Sequence, residues 1–76
     1  MTWKFHVLAT AQRRLFSRIL QTLESQMVVV DSFAGEANEG EACVIVILSS
    51  EENKAFRIKA LLYRLEGVRS VSVSIE

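Results

Sequence analysis

The sequence predicts an α+β sandwich of order βαββαβ, the ferredoxin-like plan. Three observations carry this. Strict alternation of apolar and polar residues marks the first and last strands, at Trp3–Val7 and Ser70–Ile75. Two amphipathic stretches at helical spacing follow the first and third strands. Two short β-branched or apolar runs, Met27–Phe33 and Ala42–Leu48, lie between them. Right-handed crossovers then give an antiparallel sheet in spatial order 4-1-3-2 with both helices on one face.

Each element has its own warrant. Residues 2–8 set Trp3, Phe5 and Val7 against Lys4 and His6, a half-buried strand. Thr10 is the expected N-cap of a helix over about 11–25, whose buried stripe is Leu15, Phe16, Ile19, Leu20 and Leu23. Met27–Phe33 is the second strand, and residues 35–41, acidic with a glycine near each end, are expected to be a loop. The third strand covers about 42–48. Ser49 and Glu52 have capping-box spacing, which starts a second helix with Ala55, Ile58, Leu61, Leu62 and Leu65 inward. Gly67 is expected at C′, just past that helix. In the last strand Val71, Val73 and Ile75 alternate with Ser70, Ser72 and Ser74.

The 76 residues are expected to form one domain, 1–76. Half of them are hydrophobic, enough for a packed globule, and no apolar run is long enough to span a bilayer. The opening residues Met1-Thr2-Trp3-Lys4-Phe5-His6 lack the layout of a signal peptide, so the cytoplasm is the expected compartment. Nine basic and nine acidic residues cancel, which gives no support to a nucleic-acid or membrane partner.

Catalytic chemistry is not evident. Cys43, the single cysteine, reads as a small buried core residue, and His6 reads as a surface histidine rather than a base. No cysteine or histidine cluster has metal-ligand spacing, and neither a P-loop nor GxGxxG is present. No cofactor is implied. An RNA-recognition module shares the topology but uses aromatic residues on its first and third strands, and the third strand here has none. An acylphosphatase-like enzyme would want a phosphate-cradling loop after the first strand, which Ala9-Thr10-Ala11-Gln12 is not.

The open face and one edge point to association. The second and third strands are apolar without alternation, so the half of the open face near them should be covered. The second strand is also an expected edge, and Val28-Val29-Val30 carries no charge, proline or obvious bulge. A homodimer pairing two such edges through Val28, Val29, Val30 and Asp31 covers it economically. The rival reading is that one or two valines are simply exposed.

The run Ala9-Thr10-Ala11-Gln12-Arg13-Arg14-Leu15-Phe16-Ser17-Arg18-Ile19, leading into Val30-Asp31-Ser32-Phe33, resembles the ACT domain of the regulatory small subunits of acetolactate (acetohydroxyacid) synthase. Those subunits typically carry Asn-Arg-Pro-Gly-Val-Leu-x-Arg-Val followed by Phe-Asn-Ile-Glu-Ser-Leu. Leu15, Arg18, Ile19, Asp31, Ser32 and Phe33 fit that pattern, and Leu61–Val71 resembles the family's Leu-x-Lys-Leu-x-x-Val-x-x-Val ending. The resemblance spans nearly the whole chain and rests mostly on hydrophobic positions.

The resemblance implies a non-catalytic regulator of branched-chain amino-acid biosynthesis whose partner is a large, thiamine-diphosphate-dependent catalytic subunit. It also implies an effector site at Ala11 (usually Asn), Arg13 (usually Pro), Arg14 (usually Gly) and Val29 (usually Asn). Glycine there admits a ligand carboxylate to the helix amides. The substitutions imply weak or lost valine sensing. Arg14 can instead pair with a carboxylate or fill the pocket, and Arg13 and Arg14 can dock on an acidic patch of the catalytic subunit. The alternative is a free-standing small-molecule sensor, for an amino acid of altered specificity.

Overall fold

The computed structural model describes residues 1–76. Its elements are β1 (Thr2–Thr10), α1 (Leu15–Ser25), β2 (Val29–Asn38), β3 (Glu41–Ser49), α2 (Glu52–Tyr63) and β4 (Val68–Ile75). The four strands form one antiparallel sheet in order β2-β3-β1-β4, the expected 4-1-3-2 read from the other edge. Alternation in the strands decides which side is buried. Phe5 sits between Val46 and Val73, and Val7 between Val44 and Val71, all with side chains inward. Leu15, Ile19 and Leu23 from α1 and Ala55, Ile58 and Leu62 from α2 complete a single core over that same face.

Both predicted helix caps are overturned. Thr10 is the last residue of β1: it pairs with Glu41, and its N–H donates to the Gly67 carbonyl at 2.8 Å. The chain then turns, with the Ala11 N–H bonded to the Gly40 carbonyl, and α1 starts only at Leu15. Ser49 likewise stays in β3, paired to Thr2 and Val29, with its hydroxyl donating to the Asp31 carboxylate at 3.1 Å. No capping box forms; Glu51 is the N-cap of α2 and makes no side-chain cap bond. In both places a strand ladder outcompetes a local side-chain bond worth about 1 kcal/mol.

The acidic segment 35–41 is mostly strand rather than loop. β2 runs to Asn38, and Glu39-Gly40 alone turns the chain, with φ of 52° and 81°. Positive φ at both central residues is the two-residue hairpin geometry that matches strand twist. Gly35 lies inward under the Phe16 ring: a Cβ there would sit 3.0 Å from Phe16 Cε1. Gly67 is not a C′ residue. α2 is capped by Arg64, and Gly67 makes the turn into β4 with φ 89°.

Cys43 is not in the core. β3 places Ala42, Val44, Val46 and Leu48 inward, so Cys43, Ile45 and Ile47 face the open side. There Leu8, Ala34, Cys43, Ile45 and Ile47 make the apolar half that the second and third strands announce. Lys4, His6, Ser70, Ser72 and Ser74 make the polar half. β2 is an edge as expected, but it does carry a bulge: Asp31 is unpaired between the pairs Val30–Leu48 and Ser32–Ile47. Of the three valines, Val28 and Val30 pack against the core and only Val29 is well exposed.

Candidate functional site

The turn Ala11–Arg14 and the first turn of α1 border a cavity of about 210 Å³. Its lining is Ala11, Gln12, Arg14, Leu15, Phe16, Ser17, Ala37 and Ala42. The floor is apolar because Ala37 and Ala42 are a cross-strand pair at the end of the β2–β3 hairpin. Small residues there leave the space that larger ones would fill. Phe16 walls one side and is held edge-on to Phe33, ring centroids 6.4 Å apart. Gln12 closes the rear, its side chain packed so close to Gly67 that a Cβ at that glycine would sit 2.8 Å from it.

Arg14 is the N-cap of α1 and adopts a left-handed conformation, φ 65° and ψ 20°. A residue with a Cβ pays strain of about 1–2 kcal/mol there, and glycine does not. The turn therefore has a backbone shape suited to glycine while carrying an arginine. The N–H groups of Phe16 and Ser17 have no acceptor in the protein, as expected in the first turn of an uncapped helix. Neither Arg13, Arg14 nor Arg18 forms an ion pair; the one ion pair is Arg69–Glu41. Free amides, a positive helix end and an unpaired guanidinium around a small apolar cavity can receive a carboxylate with a short apolar body.

The four positions singled out in the sequence do not all meet. Ala11 and Arg14 line the cavity; Arg13 is exposed and is not part of the lining. Val29 pairs with Ser49, next to Thr2, at the opposite end of the sheet from the Thr10–Glu41 pair. The β2 residue at the cavity is Ala37, missed because residues 35–41 read as a loop. The alternation of Phe33, Gly35 and Ala37 was the available signal.

A second polar pair lies on the open sheet face. His6 Nε2 and Cys43 Sγ are 3.0 Å apart, diagonal neighbours across the β1–β3 ladder. No group of three or more metal-ligating side chains is assembled anywhere in the structure, and no helix is long and apolar enough to cross a membrane.

No protein-family model matches the sequence, and no curated protein matches it. Solved structures do match. The crystal structure of the ACT domain from GTP pyrophosphokinase of Chlorobium tepidum superposes with a TM-score of 0.84 at 13% identity, covering 97% of each chain. The C-terminal domain of the MgtC protein from Mycobacterium tuberculosis gives 0.78 at 16% identity, over 99% of this chain and 86% of that one. A formyltetrahydrofolate deformylase from Pseudomonas putida gives 0.78 at 11% identity, over 100% of this chain and 29% of that one. At these identities the likeness concerns the fold, and the chain has the fold of an ACT domain.

Proposed function

We propose that this chain is a non-catalytic regulatory domain that acts on the large catalytic subunit of acetolactate synthase and has weak or lost valine sensing. The observation that carries the reading is the β1–α1 turn. Its backbone holds the left-handed shape at the position where the resembled small subunits have glycine, and Arg14 occupies it. The ACT-type fold supports a regulatory role in general, and the Ala9–Phe33 and Leu61–Val71 runs support the narrower one. Pairing of two β2 edges through Val28–Asp31 belongs to this reading, with exposed Val29 as its contact. The mechanism is linkage: by binding one state of the catalytic subunit more tightly, the chain shifts that subunit's population.

The second reading is a free-standing sensor, favoured by the cavity itself. At about 210 Å³ it has room for a ligand of amino-acid size, with Arg14 and the Phe16 and Ser17 amides for a carboxylate. Two titrations separate the readings. Calorimetry with the large subunit should show binding, while valine leaves the melting temperature of the chain alone unchanged. No heat with the large subunit rejects the first reading. A free amino acid that raises the melting temperature in its place supports the second, since a ligand at 100 times its Kd adds about 2.7 kcal/mol.

A further inference from the structure

We propose that a second copy of this chain pairs antiparallel along β4, about a two-fold axis at Val73, independently of any pairing at β2. β4 is the other edge of the sheet. The Glu76 N–H donates to the Thr2 carbonyl at 3.0 Å, which sets the phase of the β1–β4 ladder. Ser70, Ser72 and Ser74 share that phase and turn their backbone groups toward β1. Val71, Val73 and Ile75 therefore turn their N–H and C=O groups to the open edge. From Ser70 to Ile75 this edge has no charge, no proline and no register shift. The β2 edge, by contrast, has both a bulge and the Asp31 carboxylate. The bulge and charge of β4, at Arg69, lie at the start of the strand, so the stretch Ser70–Ile75 lacks the devices that keep a free edge single.

The side chains flanking the edge agree. Lys54 donates to the Gln26 carbonyl at the end of α1, so that side of α2 faces α1. Phe56 and Tyr63, two turns apart, lie on the opposite flank, above the open edge of β4. They are 52% and 60% exposed, and Ile75 below them is 63% exposed. The Phe56 ring lies 6.2 Å from that of Trp3, the β1 partner of Ile75. Three of the seven large exposed apolar side chains thus border one edge.

The occupant is a second copy because the strand is its own complement. Antiparallel pairing about Val73 sets Val71 against Ile75, Ser72 against Ser74 and Ser70 against Glu76. No like charges oppose, the outward backbone groups of Val71, Val73 and Ile75 all find partners, and faces are conserved. The two α2 helices then run antiparallel across the axis, with Phe56 of one directed toward the Tyr63 end of the other. Pairing at both β2 and β4 extends a ribbon instead of closing a dimer.

Sedimentation over a dilution series tests this in a Val29→Lys background, which disables β2 pairing. That variant should sediment as a dimer. Adding Val73→Pro should give a folded monomer, because proline there removes only the outward N–H. Ile75→Lys in the same background serves as the second variant and should also be monomeric, with the fold of each confirmed by circular dichroism. A Val29→Lys chain that is monomeric at the highest concentration, or a dimer that survives both β4 substitutions, overturns the proposal.

Discussion

Replacing Arg14 by glycine should make the protein more stable, the reverse of what an exposed Arg→Gly change at the start of a helix ordinarily does. Arg14 is held at φ 65°. Releasing a Cβ from that conformation gains about 1–2 kcal/mol. The greater freedom of glycine in the unfolded chain takes back about 0.4–1 kcal/mol. Removing a cation from the positive end of α1 adds about 0.3 kcal/mol. The net is about 1 kcal/mol, which for a chain of this size raises Tm by about 4–8 °C. Arg13→Gly is the control: Arg13 has no positive φ, so it should lose about 0.5–1 kcal/mol. Thermal unfolding followed by far-ultraviolet circular dichroism reads both. Two variants that shift Tm in the same direction would refute the left-handed turn and the site built on it.

Three other substitutions report on the fold. Leu23→Ala empties a fully buried position on α1 and should reduce stability by about 2–5 kcal/mol in urea unfolding. Gly67→Ala forces a Cβ onto φ 89° and against Gln12, and should cost at least about 1–2 kcal/mol while displacing one wall of the cavity. Cys43→Ser should change stability by less than about 1 kcal/mol, as expected of a half-buried residue on the open face. A loss of core size would place the thiol inside instead.

The fold was legible because its core is written in two clear periods. Trp3, Phe5 and Val7 on β1 and Val71 and Val73 on β4 alternate, and Leu15, Ile19 and Leu23 on α1 recur at helical spacing. These are the residues that the structure buries or packs against the core. What failed was local. Thr10 and Ser49 have the chemistry of caps, but both are claimed by ladders whose partners lie far away in sequence. Cys43 was hidden by its context: Ala42–Leu48 is apolar at every position, so no alternation reveals which half faces outward. The acidic, glycine-flanked pattern of residues 35–41 reads as a loop and hides Ala37, and Val29 sits at the far end of the sheet from the turn with which the resemblance groups it. The left-handed Arg14 leaves no trace in composition, since arginine seldom adopts that conformation.

The most direct test of the regulatory reading is acetolactate formation by the large catalytic subunit, measured as this chain is titrated in. A saturable change in rate or in apparent substrate affinity is expected, with the same curve when valine is present. A catalytic subunit whose kinetics stay the same at every concentration of the chain would contradict it.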